Sequence, residues 1–139
     1  MAADPRSEGA GRISVLLIET DARVRRGLRS VIESIPDLEV AGEASSVTTA
    51  LELFAQVAPK VVVVDLELST AEQDLELVRR LSRNGCSVVA TSMRRTLAPL
   101  AMQAGAVSFV EKDERGASSL IAAVRTAANN EHPPSEAQE

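Results

Sequence analysis

The sequence predicts a doubly wound α/β sandwich around a five-stranded parallel sheet, and three observations carry that prediction. Five short runs of β-branched or small apolar residues recur along the 139 residues, each is followed by a segment of helical periodicity, and the connections between them are short.

The first run, "ISVLLI" (13–18), reads as a strand because branched aliphatic side chains suit a buried, pleated ladder. The next segment puts Val24, Leu28, Val31, Ile32 and Ile35 on one face, which Arg23, Arg25, Arg26 and Arg29 mostly avoid; that is the spacing of an amphipathic helix. "LEVAGEA" (38–44) is the second strand, followed by a helix over 47–57 with Ala50, Leu51, Phe54 and Val57 inward. "KVVVVD" (60–65) is the third, followed by a helix over 71–83 carried by Leu75, Val78 and Leu81. "SVVATS" (87–92) is the fourth, and the helix expected over 97–104 has Pro99 in its first turn, where a missing N–H is harmless. "AVSFVE" (106–111) is the fifth, with a last helix over 116–128 built on Leu120, Ile121 and Val124. Most of these runs are apolar throughout rather than alternating, as in strands covered on both faces. One domain over 13–128 is expected, between a mobile segment 1–12 and a tail or linker 129–139, both polar and containing Pro or Gly.

Composition narrows the function classes. A hydrophobic fraction of 45% with 25% charged residues is globular, and a net charge of −5 opposes coating a polyphosphate, so direct nucleic-acid binding is not expected. The single cysteine, Cys86, cannot form an internal disulfide and reads as a small packing residue in a reducing compartment. No run is long and apolar enough for a membrane helix and the N-terminus lacks the apolar centre of a signal peptide, so a cytoplasmic, non-membrane protein is expected. His132 stands alone in the tail and makes no metal site.

In a doubly wound sheet, ligands bind beyond the carboxyl ends of the strands. The residues there are Glu19, Thr20 and Asp21 after the first strand, Asp65 and Glu67 after the third, Thr91 and Ser92 after the fourth, and Lys112 and Asp113 after the fifth. Any one of them has an ordinary explanation: Thr20 or Asp21 as a helix cap, Ser92 at a turn. Together they supply what an aspartyl-phosphate site requires: a carboxylate nucleophile, oxygen ligands for a metal ion, a hydroxyl donor, and a cation for a phosphoryl oxygen. Asp65 is the natural nucleophile.

With these residues in place, the chain resembles the receiver domain of two-component response regulators over nearly all of 13–127. "GLRSVIESIPDLEVAGEASS" and "GAVSFVEKD" are similar to the NarL/LuxR-type subgroup, whose full-length members usually carry a C-terminal helix-turn-helix domain. The resemblance implies the flavodoxin-like receiver topology and a non-enzymatic signalling role, with at most autophosphatase activity. It also implies that Asp65 is the phosphoacceptor, Lys112 the phosphoryl-binding lysine, Ser92 the switch hydroxyl and Phe109 the aromatic that changes rotamer on activation. It implies Mg²⁺ held by Glu19, Asp65 and the main-chain carbonyl of Glu67, and a histidine kinase as phosphoryl donor. A homodimer, an effector protein, or a DNA-binding domain outside this chain would receive the output.

The acid pair departs from the family pattern. "VLLIETD" stands where the family has two adjacent aspartates, with Glu19 as a longer first acid and Thr20 in place of the second, a direct metal ligand. Two carboxylates and a lysine replace three carboxylates and a lysine, and one unit charge at contact is worth about 4 kcal/mol at an effective dielectric near 20. A weakened Mg²⁺ site is expected, with an inward-turned Glu67 side chain as the candidate for restoring the charge. The segment after Ser92 is about two residues shorter than the family's usual length and carries Arg94 and Arg95, either solvated or folded onto Glu19 or Asp65 in place of a metal.

Two other functions stay open. One is a phosphorylation-independent pseudo-receiver acting through protein interaction. The other, more remote, is a haloacid-dehalogenase-like phosphatase, whose Asp-x-Asp motif "VVVVDLELST" partly matches, with Glu67 at the acid–base position. A dinucleotide-binding module is excluded because no G-x-G-x-x-G follows the first strand.

Overall fold

The structure, a computed structural model, describes residues 11–112 and 116–129. The expectations for residues 1–10 and 130–139, and for Asp113 and His132, lie outside the described residues. Five strands, β1 (Ile13–Ile18), β2 (Leu38–Ala44), β3 (Val61–Asp65), β4 (Ser87–Ser92) and β5 (Ser108–Glu111), form one parallel sheet in the order β2-β1-β3-β4-β5. Five helices connect or follow them: α1 (Ala22–Glu33), α2 (Val47–Val57), α3 (Ala71–Arg83), α4 (Ala98–Ala104) and α5 (Gly116–Asn129). The doubly wound class is therefore as expected.

Because successive strand residues point to opposite faces, each strand feeds two cores. Leu16, Ile18, Val62, Val64, Val88 and Ala90 pack with residues of α2, α3 and α4, while Val15, Leu17, Val61, Val63 and Val89 pack with α1 and α5. All four valines of β3 are at most 2% exposed, so the strand is closed above and below and open only at its ends.

Helix starts follow capping chemistry. Asp21, Ser46 and Thr70 cap α1, α2 and α3, each side chain accepting from main-chain N–H groups of the first turn that would otherwise lack partners. Besides one-residue shifts at the start of β3 and the end of α5, two boundaries differ from expectation. A 3₁₀ turn, Arg95–Leu97, precedes α4, which starts at Ala98; Pro99 has no N–H to bond the Arg95 carbonyl four residues back, so the entry is wound more tightly. β5 starts at Ser108 rather than 106, because the Ala106 N–H is turned back onto the Ala101 carbonyl of α4. Gly105 makes this return at φ +120°, against Ser82 of α3, where a β-carbon would fall 2.2 Å from the Ser82 Oγ.

The strand order reverses between β1 and β3, whose chains leave in opposite directions. The crevice at their carboxyl ends opens beside Glu19 and Asp65.

Candidate functional site

Asp65 ends β3 and Glu19 directly follows β1; each is only 2% exposed. β5 delivers the third member, since the Lys112 N–H bonds the Ser92 carbonyl at 2.9 Å and so carries the register of β4 and β5 past their ends. The Lys112 Nζ lies 2.9 Å from Glu19 Oε1 and 3.3 Å from Asp65 Oδ1. The ammonium is the ionic partner of both oxygens, which are buried and have no other donor. The other oxygens are served locally: the Asp21 N–H donates to Glu19 Oε2 at 3.1 Å, and the Thr20 hydroxyl reaches Asp65 Oδ2 at 3.5 Å. Thr20 thus faces Asp65 as a weak neutral donor, at the position where an acid was expected from the resemblance.

These groups line a cavity of about 640 Å³ that also includes Glu67, with Val24, Leu28 and Leu120 as apolar wall. Burial, and then the neighbouring Glu19 charge, push the Asp65 carboxyl up to about 6, against the opposing pull of Lys112. Burial works to lower the Lys112 ammonium, but Glu19 and Asp65 outweigh it and hold its pKa raised. At neutral pH the site accordingly presents an ionised, poorly solvated carboxylate beside a fixed cation, the state a nucleophile needs.

Glu67 turns toward β4 instead of the acid pair: its Oε2 accepts from the Ser92 hydroxyl at 3.2 Å and from the Met93 N–H at 3.4 Å. Ser92 is fully buried and its Oγ in turn accepts the Arg94 N–H at 2.9 Å. Thr91, one residue earlier, also lines the cavity, but its hydroxyl donates to the Val64 carbonyl of the sheet at 3.4 Å. Phe109 is half-buried on β5 and packs against the core shared with α4. Of the two arginines, Arg95 pairs with Glu111 at 3.2 Å and Arg94 is exposed; Lys112 is the cation that meets Glu19 and Asp65.

Two supporting residues were not singled out from the sequence. Arg25, on α1, donates to the Glu19 main-chain carbonyl at 2.7 Å and pairs with Glu43 at 3.1 Å, anchoring the chain that carries Glu19. Asp74, in the first turn of α3, is completely buried and accepts from the Leu68 and Ser69 N–H groups at 3.0 Å each, fixing the loop after Asp65. The only sequence signal for Asp74 was an acid near a helix start, which ordinarily reads as an exposed partner of the helix dipole.

The Response regulator receiver domain family model matches residues 15–125. The chain is 34% identical over 131 residues to protein-glutamate methylesterase/protein-glutamine glutaminase 1 of Pseudomonas savastanoi pv. phaseolicola, aligning 86% of this chain with 37% of that protein. It is 31% identical over 122 residues to the transcriptional regulatory protein LiaR of Bacillus subtilis, aligning 86% of this chain with 57% of LiaR. The chain thus spans between about a third and just over half of the length of these relatives. Among solved structures, the response regulator domain of Thermotoga maritima CheB superposes with a TM-score of 0.76 at 25% identity, covering 87% of this chain and 99% of that one. A LuxR-family response regulator from an Aurantimonas species gives 0.74 at 26% identity, covering 92% and 94%. The chain belongs to the receiver domains of two-component response regulators.

Members of this family generally bind Mg²⁺ at the phosphorylation site. The residues here fit such an ion in reduced form: Glu19 and Asp65 bring two buried carboxylate oxygens to one point beside Lys112, which is hard-oxygen chemistry. Among the described residues, no group of three or more acids, histidines or cysteines comes together that could hold a metal. No helix in the described residues is long and apolar enough to cross a membrane.

Proposed function

We propose that this receiver accepts a phosphoryl group from the phosphohistidine of a histidine kinase onto Asp65. The observation that carries the reading is the pairing of one lysine with two buried carboxylates at the switch point of the sheet, with Lys112 2.9 Å from Glu19 and 3.3 Å from Asp65. The Asp65 carboxylate attacks phosphorus, the P–N bond to imidazole breaks, and Lys112 is placed to follow the transferred oxygens as they gain charge near Asp65. Glu19, Asp65 and the main-chain carbonyl of Glu67 would hold a Mg²⁺ ion, which when bound supplies positive charge against the phosphoryl oxygens. Its affinity is low because Thr20 contributes no charge.

The signal leaves through Ser92, Phe109 and the face of α4, β5 and α5. Met93, Leu100 and Met102 are 66%, 44% and 46% exposed on and just before α4, separate apolar side chains available to a partner protein or a second copy. A DNA-binding or catalytic domain outside this chain is the natural recipient, given how little of its relatives' length the chain spans. A second reading, a pseudo-receiver that binds partners without phosphorylation, draws support from the missing second acid and from Glu67, which already occupies the Ser92 hydroxyl. The phosphatase reading is disfavoured by the same contact, which takes the would-be acid–base carboxylate away from the nucleophile.

Intact-mass measurement after incubation with acetyl phosphate and Mg²⁺ tests the proposal. One phosphoryl adduct on the native chain and none on Asp65→Asn is expected. A native chain that stays unlabelled while an ordinary receiver is labelled would refute phosphoryl acceptance and leave the pseudo-receiver.

A further inference from the structure

Three hydrogen bonds run in series past the strand ends: the Arg94 N–H donates to the Ser92 Oγ at 2.9 Å, the Ser92 hydroxyl donates to Glu67 Oε2 at 3.2 Å, and the Met93 N–H donates to that same oxygen at 3.4 Å. Because a carboxylate oxygen can only accept, the proton in the Ser92–Glu67 bond is that of the Ser92 hydroxyl, whose oxygen accepts from Arg94. The hydroxyl and the Met93 N–H therefore converge on a single anionic oxygen, and that oxygen belongs to a side chain lining the same cavity as Asp65. Two convergent donors at a strand end are an anion-binding arrangement. Here the anion is part of the chain, only two residues beyond the nucleophile.

We propose that Glu67 is a tethered anion that occupies, in the unmodified protein, the donors a phosphoryl group on Asp65 would otherwise recruit. It thereby holds the segment Ser92–Leu97 in its anion-bound arrangement before any phosphoryl group arrives. Phosphorylation then exchanges one anion for another on the same donors instead of supplying the first. Two consequences follow. The β4–α4 segment moves less on phosphorylation than it would with free donors, and the incoming group competes with Glu67 for them. Glu67 is exposed and both its bonds are long, so the contact biases the segment without locking it. The competition rests on Asp65 being the acceptor, whereas the holding of the segment does not.

The test is backbone amide NMR on the full chain, first without any phosphoryl donor. Glu67→Ala is expected to displace the Met93 and Arg94 amide signals while leaving those of Asp37 and Arg125, on the far side of the domain, in place as a check of the fold. Glu67→Gln, which keeps the side chain's size, is expected to move the same signals in the same direction by a smaller amount, and stands in should the alanine variant fail to fold. Acetyl phosphate and Mg²⁺ are then added, and the Ser92–Leu97 signals should shift at least twofold further in the variant than in the native chain. Met93 and Arg94 signals that coincide in native and variant proteins without donor would overturn the proposal, as would equal shifts on phosphorylation. A native chain that takes no phosphoryl group would remove the acceptor reading alone, because the donor-free spectra still decide whether Glu67 holds the segment.

Discussion

Replacing Asp65 by Asn is expected to stabilise the domain, by an amount that depends on pH. Burial and the Glu19 charge move the Asp65 carboxyl from its ordinary 3.8 to about 6. The folded state thus resists ionising this group, a difference of about 3 kcal/mol at most once the group is charged in both states. The sign runs opposite to that of a salt-bridged acid with a depressed pKa. The penalty is absent below the unfolded value of 3.8, grows as pH rises toward about 6, and is complete above it. The pull of Lys112 is already contained in that shift; asparagine removes the charge but leaves a buried amide to be satisfied in the pocket, so a net gain of about 1–2 kcal/mol is expected at pH 8. For a domain of this size that is a rise of about 3–8 °C in Tm. Thermal melts of both proteins from pH 4 to pH 8, in chelator so that no cation neutralises the pocket, measure the gap. Acids away from this pocket titrate alike in the two chains and cancel. A gap that is negative, or that stays constant over this range, would refute the assignment of Asp65 as a strained, poorly solvated carboxylate.

Three further outcomes are expected. Acetyl phosphate should label the native chain faster as pH rises through about 6 and level off above about 7, since the nucleophile is the ionised form of Asp65; initial rates by intact mass measure this. Lys112→Met leaves Glu19 and Asp65 facing each other without their cation, and should lower stability by about 1–3 kcal/mol in urea unfolding at pH 7.5 while reducing labelling at least tenfold. Asp74→Ala orphans the Leu68 and Ser69 N–H groups and should lower stability by about 2–3 kcal/mol, with Asp74→Asn milder because its amide oxygen still accepts; urea midpoints separate the two.

Fold and site were legible in the sequence to different depths. The strands could be read because burial on both faces leaves uninterrupted apolar runs, and "VVVVD" carries that mark most clearly. Asp65, Glu19, Ser92 and Lys112 could be found because the fold class sends ligand chemistry to the carboxyl ends of strands, and those ends are countable positions. The start of β5 was not legible: whether the Ala106 N–H joins a neighbouring strand or returns to α4 depends on the turn at Gly105, and both outcomes suit the same residues. Asp74 gave no sign of burial, since its partners are main-chain groups of a loop whose path only the folded chain defines. The direction of Glu67 was equally hidden. Its side chain can reach the acid pair or Ser92, 25 residues away in sequence, and rotamer choice across that separation leaves no trace in composition or period. Arg25 looked like one of several solvated arginines, yet it is the one whose guanidinium reaches the Glu19 carbonyl.

The closure of β3 on both faces has a consequence for how this domain tolerates change. Its four valines would pack as well before a neutral residue as before Asp65, so folding gives no protection to the carboxylate. The charge itself opposes folding, because burial resists the ionisation of Asp65. A copy of this domain that replaced Asp65 by a neutral residue would therefore keep its fold, with no loss of stability to mark the change. A screen for folding alone would not register the loss of the Asp65 carboxylate.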